Sequence, residues 1–310
     1  MDIKYSLVVP AYNEEAVLDE SYKRLKDIME QLKNEYEMIF VNDGSKDNTL
    51  NILKELAKQD PHVKVLSFSK NFGHQLAVTA GLEHTSGDAI IIIDADLQDP
   101  PSVILDMVKL WEQGHDVVYG QRLKRKGETA FKKLTAHVFY RTLRYMSGQD
   151  IPVDTGDFRL IDRKVRDAMC AMPEHNRFLR GMVSWVGFNQ VPCKYVRDER
   201  FAGETKYTLK KMLKLAGDGI TGFSDKPMKI PMAFGAGLGF LSCVYLLVLI
   251  IMAICGAAPS FSVWALAIML LVSSIILVSM GILGLYIGRI YVEAQGRPLY
   301  LLQEKIGFDK

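Results

Sequence analysis

Residues Ala89–Pro101 read AIIIIDADLQDPP, and the fold follows from how this stretch is understood. Ile90–Ile93 form an unbroken β-branched run, the pattern of a strand buried on both faces, as in the middle of a parallel sheet. Such a strand ends in carboxylates only at its carboxyl edge, where open α/β sheets bind ligands. In an extended Asp94-Ala95-Asp96 both carboxylates point to the same side, because side chains repeat every second residue. They repel unless a cation separates them, and hard oxygen ligands suit Mg²⁺ or Mn²⁺. Mg²⁺ is usually held by one or two carboxylates plus substrate phosphates, so the stretch predicts a metal–diphosphate site. The alternative is a strand-end turn with solvated acids; the Ile run before it and Gln98-Asp99-Pro100-Pro101 after it weigh against that.

The residues upstream repeat the theme. Tyr5–Val9 is a buried strand stopped by Pro10, and Ala11-Tyr12-Asn13-Glu14-Glu15 leads into a helix reaching Lys33. Met38–Val41 is a second strand, ending in Asn42-Asp43-Gly44-Ser45; Ser45 or Asp47 is placed to cap the helix carrying Leu50, Leu53 and Leu56. Val63–Phe68 is a third, followed by Ser69–His74 and a helix through Gly81. Strand–helix alternation at this spacing predicts a parallel, doubly wound sheet. Right-handed crossovers then bring Tyr12–Glu14, Asp43 and Asp94–Asp96 to one edge. There Asp43 can accept from a base N–H, Tyr12 can flank the base and the acid pair can take the diphosphate.

The chain has 310 residues and a formal net charge of +2, which argues against a nucleic-acid partner or an acidic tail. The charge is segregated: Ile230–Gly288 contains no charged residue. Four scattered cysteines without a C-x-x-C pair make neither a disulfide framework nor a zinc site and suit a reducing compartment. The six histidines show no ligand spacing and are read as structural or surface residues. MDIKYSLVVPAYN has too short an apolar run for a signal peptide, so the soluble part is expected to stay on the side where it is made.

Pro231–Cys255 and Val263–Gly288 each exceed the ~20 apolar residues that span a bilayer. The link Gly256–Ser262 is uncharged, while Lys226 and Lys229 flank one end and Arg289, Arg297 and Lys305 the other; the positive-inside rule predicts a helical hairpin with both termini cytoplasmic. Gly235-x-x-x-Gly239 and Gly284-x-x-x-Gly288 are read as close helix contacts, compatible with homo-oligomer assembly, and no P-loop pattern is present. Ala130–Met146 reads as a basic amphipathic helix on an anionic membrane surface, with an ordinary surface helix as the alternative. Leu209, Met212, Leu213, Ala216 and Ile220, opposite Lys210, Lys211 and Lys214, predict a second interface helix.

Val8–Glu15 (VVPAYNEE), Asn42–Ser45 (NDGS), Ser69–His74 (SKNFGH) and Asp94–Pro101 (DADLQDPP) resemble family 2 glycosyltransferases of GT-A fold. The whole chain resembles bacterial polyprenyl-phosphate (bactoprenol) glucosyltransferases, relatives of dolichol-phosphate mannosyltransferase. Asn42 stands where many relatives carry Asp. The resemblance implies that Pro10, Ala11, Tyr12, Glu14, Asp43, Asp94 and Ala95 bind the nucleotide-sugar, and that Gln98 joins Asp94 and Asp96 on Mg²⁺ or Mn²⁺. Asp154–Ile161 matches the family's second acidic motif, in which Asp157 faces the acceptor; the alternative is a turn whose Asp pairs with Arg159 or Arg163. His175–Gly181 falls where a substrate-lining helix is expected, and Trp185–Phe188 where a hydrophobic wall would be. Arg200–Tyr207 resembles the R-x-x-G-x-[ST]-K loop whose cations, here Arg200 and Lys206, close over the donor phosphates; a basic loop touching headgroups is the alternative. Arg122, ending the strand Val117–Arg122, is the candidate to hold a lipid phosphate. The Q-x-x-R-W signature of processive synthases is absent, which implies a single transfer.

The expected architecture is thus an α/β, GT-A type, doubly wound and mostly parallel Rossmann-like sheet, followed by amphipathic interface helices and a two-helix transmembrane hairpin. Residues 1–200 form the cytoplasmic glycosyltransferase domain, 201–229 the donor-covering loop and juxtamembrane helix, 230–288 the spans and 289–310 a cytoplasmic tail. The expected activity is inverting transfer of glucose from UDP-glucose to undecaprenyl phosphate at the cytoplasmic membrane, for cell-envelope glycosylation. Asp157, Asp96 and Arg122 would carry the catalysis. UDP-GlcNAc, UDP-galactose or GDP-mannose as donor stays open, as does a non-catalytic nucleotide-sugar sensor or flippase partner.

Overall fold

The computed structural model describes residues 3–123, 155–196, 244 and 261–308. The chain divides into two compact units, one of residues 1–141, 149–213 and 298–310, the other of 142–148 and 214–297.

In the first unit β1 (Tyr5–Ala11), β2 (Tyr36–Asn42), β3 (Val63–Phe68) and β4 (Ala89–Ile92) pair in parallel in the order β4-β1-β2-β3. Their connections carry α1 (Leu18–Gln31), α2 (Thr49–Gln59) and α3 (His74–Glu83). Alternate residues of β2 face opposite ways: Met38 and Phe40 join a core with Leu18, Leu25, Met29 and Leu53, whereas Ile39 and Val41 join one with Ala77 and Ala80 of α3. Helices therefore cover both sheet faces, which is why these strands are apolar throughout. α3 lies so close to β1 that a Cβ on Gly81 would sit 2.2 Å from Val8 Cγ1.

The sheet is mostly parallel, as expected, and antiparallel pairing enters in its second half and at its far edge. α4 (Val103–Glu112) leads to β5 (Val117–Arg122), but β6 (Thr155–Asp162) inserts between β4 and β5, antiparallel to both. After α5 (Arg163–Cys170) and α6 (Leu179–Trp185), β7 (Gln190–Tyr195) adds parallel to β5. The eight-stranded sheet runs β7-β5-β6-β4-β1-β2-β3-β8, and β8 (Leu302–Ile306) closes the far edge antiparallel to β3. β6 reads TGDFRLID, and its buried Asp157 and Arg159 interrupt the apolar signal of a central strand. β8, inside the segment expected to be a tail, is anchored by Tyr300, whose ring stacks on Phe68 at 4.9 Å, and by Lys54–Glu304 at 2.6 Å. Among the described residues Cys170 and Cys193 are free thiols.

In the second unit α7 runs Phe261–Ala294. Continuous description of its side chains begins at Ser279 and takes in Arg289 and Glu293. No helix of the described residues is long and apolar enough to cross a membrane. Residues 231–255, except Val244, lie outside the described residues, as do the amphipathic segments 130–146 and 209–220.

Candidate active site

The carboxyl ends of β1 and β2 are tied to one another. Asn13, in the left-handed region at φ 53°, donates its N–H to Ser45 Oγ (3.0 Å), and its Oδ1 accepts from the Lys46 N–H (2.8 Å). The Glu14 N–H donates to Thr49 Oγ1 at 2.9 Å. Ser45 thus serves this tie and not the α2 cap; Asp47 Oδ1 instead accepts from the Thr49 N–H at 3.1 Å. Pro10 and Ala11 end β1 in buried positions, and Tyr12 and Glu14 are half-buried at its rim.

Asp43 is buried and takes bonds from the β3–α3 loop: Asn71 Nδ2 at 2.9 Å, the Phe72 N–H at 2.7 Å and the Gly73 N–H at 3.0 Å. Burial raises its pKa, outweighing these donors. Sequence reasoning assigns this carboxylate to a nucleotide base; the structure shows it also bonded to its own neighbouring loop.

β4 ends at Ile92, so Asp94-Ala95-Asp96 lies in a turn beyond the strand and not in extended backbone. Burial still alternates: Ala95 and Leu97 are buried, whereas Asp94, Asp96 and Gln98 are half-buried. The turn closes through Leu97 at φ 56°, an unusual conformation for a bulky residue, and Asp96 Oδ1 accepts from the Gln98 N–H at 3.2 Å.

The antiparallel register pairs Ile92 with Arg159, so β6 delivers Asp157 to the same edge as Asp94. His74, the first residue of α3, stands between them, its Nε2 3.2 Å from Asp157 Oδ2 and 3.8 Å from Asp94 Oδ1. Arg180 forks Asp157 from α6, with Nε 2.8 Å from Oδ1 and Nη2 3.3 Å from Oδ2. Arg159 adds its guanidinium 3.8 Å from the same carboxylate. Burial favours the neutral acid, but Arg180 and the His74 hydrogen bond outweigh it and hold the Asp157 carboxyl well below the usual range. His74 is pushed the other way: burial lowers its pKa, but Asp94 and Asp157 raise it to about 9. A ring carrying its proton on Nε2 donates to Asp157.

Asp94 is raised to about 6, by burial first and then by the charges of Asp157, Asp96 and Asp99, against the opposing His74. This surplus of negative charge at a strand end fits a divalent cation, and oxygen donors are the right type for Mg²⁺ or Mn²⁺. Among the described residues no group of three or more His, Cys, Asp or Glu side chains is placed to hold a metal ion.

Arg122 ends β5 with its side chain 11% exposed, paired through Nη2 to Asp99 Oδ2 at 3.2 Å. Its Nε donates to Tyr195 Oη at 3.2 Å, and Tyr195 in turn donates to Asp99. Gly156 leaves room for this guanidinium: a Cβ there would lie 2.5 Å from Arg122 Nη2. The expected phosphate-holding cation is thus also the packing partner of the backbone that precedes Asp157. Arg200 and Lys206 lie outside the described residues.

Sequence reasoning missed His74, Arg180 and the Asp99–Tyr195 pair. His74 was set aside with the other histidines for want of ligand spacing, although it closes the SKNFGH motif. Arg180 lay in the segment expected to line the substrate, which was the available signal. Trp185, expected in a hydrophobic wall, is 60% exposed.

The profile of glycosyl transferase family 2 matches residues 6–169. The chain is 54% identical to the uncharacterized glycosyltransferase YkcC of Bacillus subtilis (strain 168), covering 99% of this chain and 95% of that protein. It is 40% identical to the bactoprenol glucosyl transferase of Shigella phage SfX, over 98% of this chain and all (100%) of that one. The prophage bactoprenol glucosyl transferase homolog of Escherichia coli (strain K12) is 41% identical over 97% and 99%. Among solved structures, glucosyl-3-phosphoglycerate synthase from Mycobacterium tuberculosis is similar at a TM-score of 0.47 and 21% identity, over 71% of this chain and 78% of that one. The chain belongs to glycosyl transferase family 2, with a mixed Rossmann-like sheet of GT-A type, and is a glycosyltransferase related along nearly its whole length to the bactoprenol glucosyl transferases.

Proposed function

We propose that the enzyme moves one glucose from UDP-glucose to undecaprenyl phosphate, a polyprenyl phosphate, at the cytoplasmic face of the cell membrane, with inversion at the anomeric carbon. The observation that carries this reading is the meeting of Asp94 and Asp157 around His74 at one sheet edge, in a chain so closely related to bactoprenol glucosyl transferases. In this reading the nucleotide lies along Pro10, Ala11, Tyr12 and Glu14, beside Asp43 and Ala95. Asp94 and Asp96, with Gln98, would hold Mg²⁺ or Mn²⁺, and that ion would supply positive charge beside the donor diphosphate.

The acceptor needs little activation. A phosphate monoester has its second pKa near ~6, so at neutral pH its oxygen is already an anionic nucleophile. That oxygen attacks the anomeric carbon, the bond to the donor's phosphate oxygen breaks, and UDP leaves with the electron pair. Asp157, held well below the usual carboxylate range beneath Arg180 and His74, is a poor proton acceptor and a good fixed charge. Its task is to orient the sugar and the incoming acceptor. Arg200 and Lys206 are assigned to the donor phosphates, and Arg122, whose guanidinium also pairs with Asp99, to the lipid phosphate.

The membrane assignment is supported by the charge-free Ile230–Gly288 and by exposed apolar side chains on α7, among them Met269, Ile276, Met280, Ile287 and Ile290. A tag in 256–262 should be reached by a membrane-impermeant label from outside the cell; labelling from the cytoplasmic side would overturn the hairpin. The activity is tested with purified full-length protein, Mn²⁺ or Mg²⁺, a panel of nucleotide-sugars and a short-chain polyprenyl phosphate. Glucosyl-phosphoryl-polyprenol from UDP-glucose alone is the expected product. No modified lipid from any donor, or full turnover in a chelator, refutes the proposal.

A further inference from the structure

Arg122 is held by more than its ion pair. β5 and β7 run parallel with Arg122 directly opposite Tyr195, so the two side chains stand on the same face of the sheet. The Arg122 Nε–H donates to Tyr195 Oη at 3.2 Å, and the Tyr195 hydroxyl donates its own proton to Asp99 Oδ1. Arg122 Nη2 lies across the same carboxylate, 3.2 Å from Oδ2 and 3.4 Å from Oδ1. In a two-armed arginine–carboxylate pair both nitrogens face carboxylate oxygens. Here the phenol oxygen takes the place on Nε and relays to the acid. The result is a closed ring of three side chains, from β5, from β7 and from the loop between β4 and α4.

Packing holds each member in place. Asp99 and Tyr195 are buried. The Tyr195 ring meets Phe158 edge-on at 5.7 Å, and a Cβ on Gly120 would fall 2.9 Å from its Cε1. The guanidinium lies against Gly156, one residue before Asp157. With the Asp99 contact alone, the guanidinium could pivot about Nη2. The second contact, on Nε, removes that freedom, because a planar group held at two nitrogens presents its third, Nη1, in one direction. Of the five N–H donors of an arginine, those not facing the phenol and the carboxylate are the ones an anionic oxygen can take.

We propose that Tyr195 is a positioning residue for acceptor recognition: its hydroxyl bridges Asp99 and Arg122 and sets the plane in which Arg122 meets the phosphate of the acceptor. This rests on the assignment of Arg122 to that phosphate under the proposed function. It gives edge strand β7 a part in the site, at its last residue, next to the segment that leads to Arg200.

The test compares full-length wild type with Tyr195→Phe, Arg122→Lys and the double variant, using UDP-glucose and the short-chain polyprenyl phosphate of the activity assay. Tyr195→Phe keeps the ring against Phe158 and removes only the hydroxyl; Arg122→Lys keeps the charge beside Asp99 and removes the planar group that Tyr195 orients. Tyr195→Phe should raise acceptor KM about fivefold or more, with kcat and UDP affinity changed less than about twofold. The double variant should match Arg122→Lys in acceptor KM within about twofold, because a residue acting through the guanidinium has no further effect once that group is gone. In protein labelled with ¹⁵N-arginine, the Nε–H resonance missing from Arg122→Lys should move in Tyr195→Phe. That readout needs no turnover, so it tests the bridge even where wild type fails to use polyprenyl phosphate, a failure that refutes the proposed function. A lower melting temperature with wild-type acceptor KM would make Tyr195 structural only and overturn the proposal. Multiplicative effects in the double variant, a loss of UDP affinity in place of the acceptor effect, or an unmoved resonance would also overturn it. Wild-type acceptor KM in Arg122→Lys would remove Arg122 from the phosphate and with it the assignment on which the proposal rests. If Tyr195→Phe does not fold, Asp99→Asn takes its place, with the same acceptor KM and resonance shifts expected.

Discussion

Removing the Arg180 fork is the most direct challenge to the role given to Asp157. In Arg180→Ala the carboxylate, 8% exposed, loses partners at 2.8 and 3.3 Å and keeps His74 at 3.2 Å and Arg159 at 3.8 Å. A hydrogen bond to a charged group is worth ~1.5–3 kcal/mol, and the second arm of the fork is long, so the pair is worth about 2–3 kcal/mol. If that energy holds Asp157 in its working orientation, kcat/KM for the acceptor falls roughly 30- to 150-fold, at about 1.36 kcal/mol per decade. Arg180 is 18% exposed, so water replaces part of the lost contact and the lower half of the range is expected. Arg180→Lys keeps the charge without the fork and should fall in between. Initial rates at varied acceptor, a UDP binding isotherm and a thermal melt on each variant separate chemistry from folding. A folded Arg180→Ala enzyme with kcat/KM within about threefold of wild type refutes the reasoning.

Asp96→Asn should lower turnover about 100-fold or more and raise the divalent-ion concentration needed for half-maximal rate; near-normal kinetics in both respects would remove Asp96 from the metal site. Arg122→Ala removes the cation paired with buried Asp99 and should destabilise the first unit by about 3–5 kcal/mol, seen as a lower melting temperature. A raised acceptor KM with unaltered UDP affinity would add the lipid-phosphate role, whereas an unchanged melt would contradict the ion pair's structural part. Far from the site, Asp60 accepts from Tyr22 (2.8 Å), Lys26 (2.9 Å) and the His62 N–H (2.9 Å). Burial raises its pKa, but Lys26 and the other donors outweigh that and leave it depressed. Its stabilisation is therefore present above the unfolded value and lost progressively as pH falls below about 4. Asp60→Asn should flatten that limb of the stability–pH curve, and an unchanged acid limb would refute the assignment.

The first four strands of the fold were legible because their signals are local. Apolar runs at Tyr5–Val9, Met38–Val41, Val63–Phe68 and Ile90–Ile93, each followed by polar turn residues, specify buried parallel strands with their polar carboxyl ends on one edge. Tyr12, Asp43, Asp94 and Asp96 could be nominated from that pattern without coordinates. The second half of the sheet was not legible in the same way. β6 carries Asp157 and Arg159 where a central strand normally carries apolar side chains; their burial is compensated by Arg180 and His74 on the Asp157 carboxylate and by the Gly156 and Asp157 carbonyls on the Arg159 guanidinium.

By itself, then, the sequence determined which residues end the first four strands and the segregation of charge from a long apolar stretch. Tertiary structure decided what those residues do to one another. His74 meets Asp157 across 83 positions of chain, and Gln75 meets the Leu179 N–H across 104. A histidine without ligand spacing and an arginine on a short helix have no periodicity to betray them. Their charge states arise only when antiparallel β6 and the first turn of α3 bring four ionisable groups into one half-buried space, where each sets the protonation of the next.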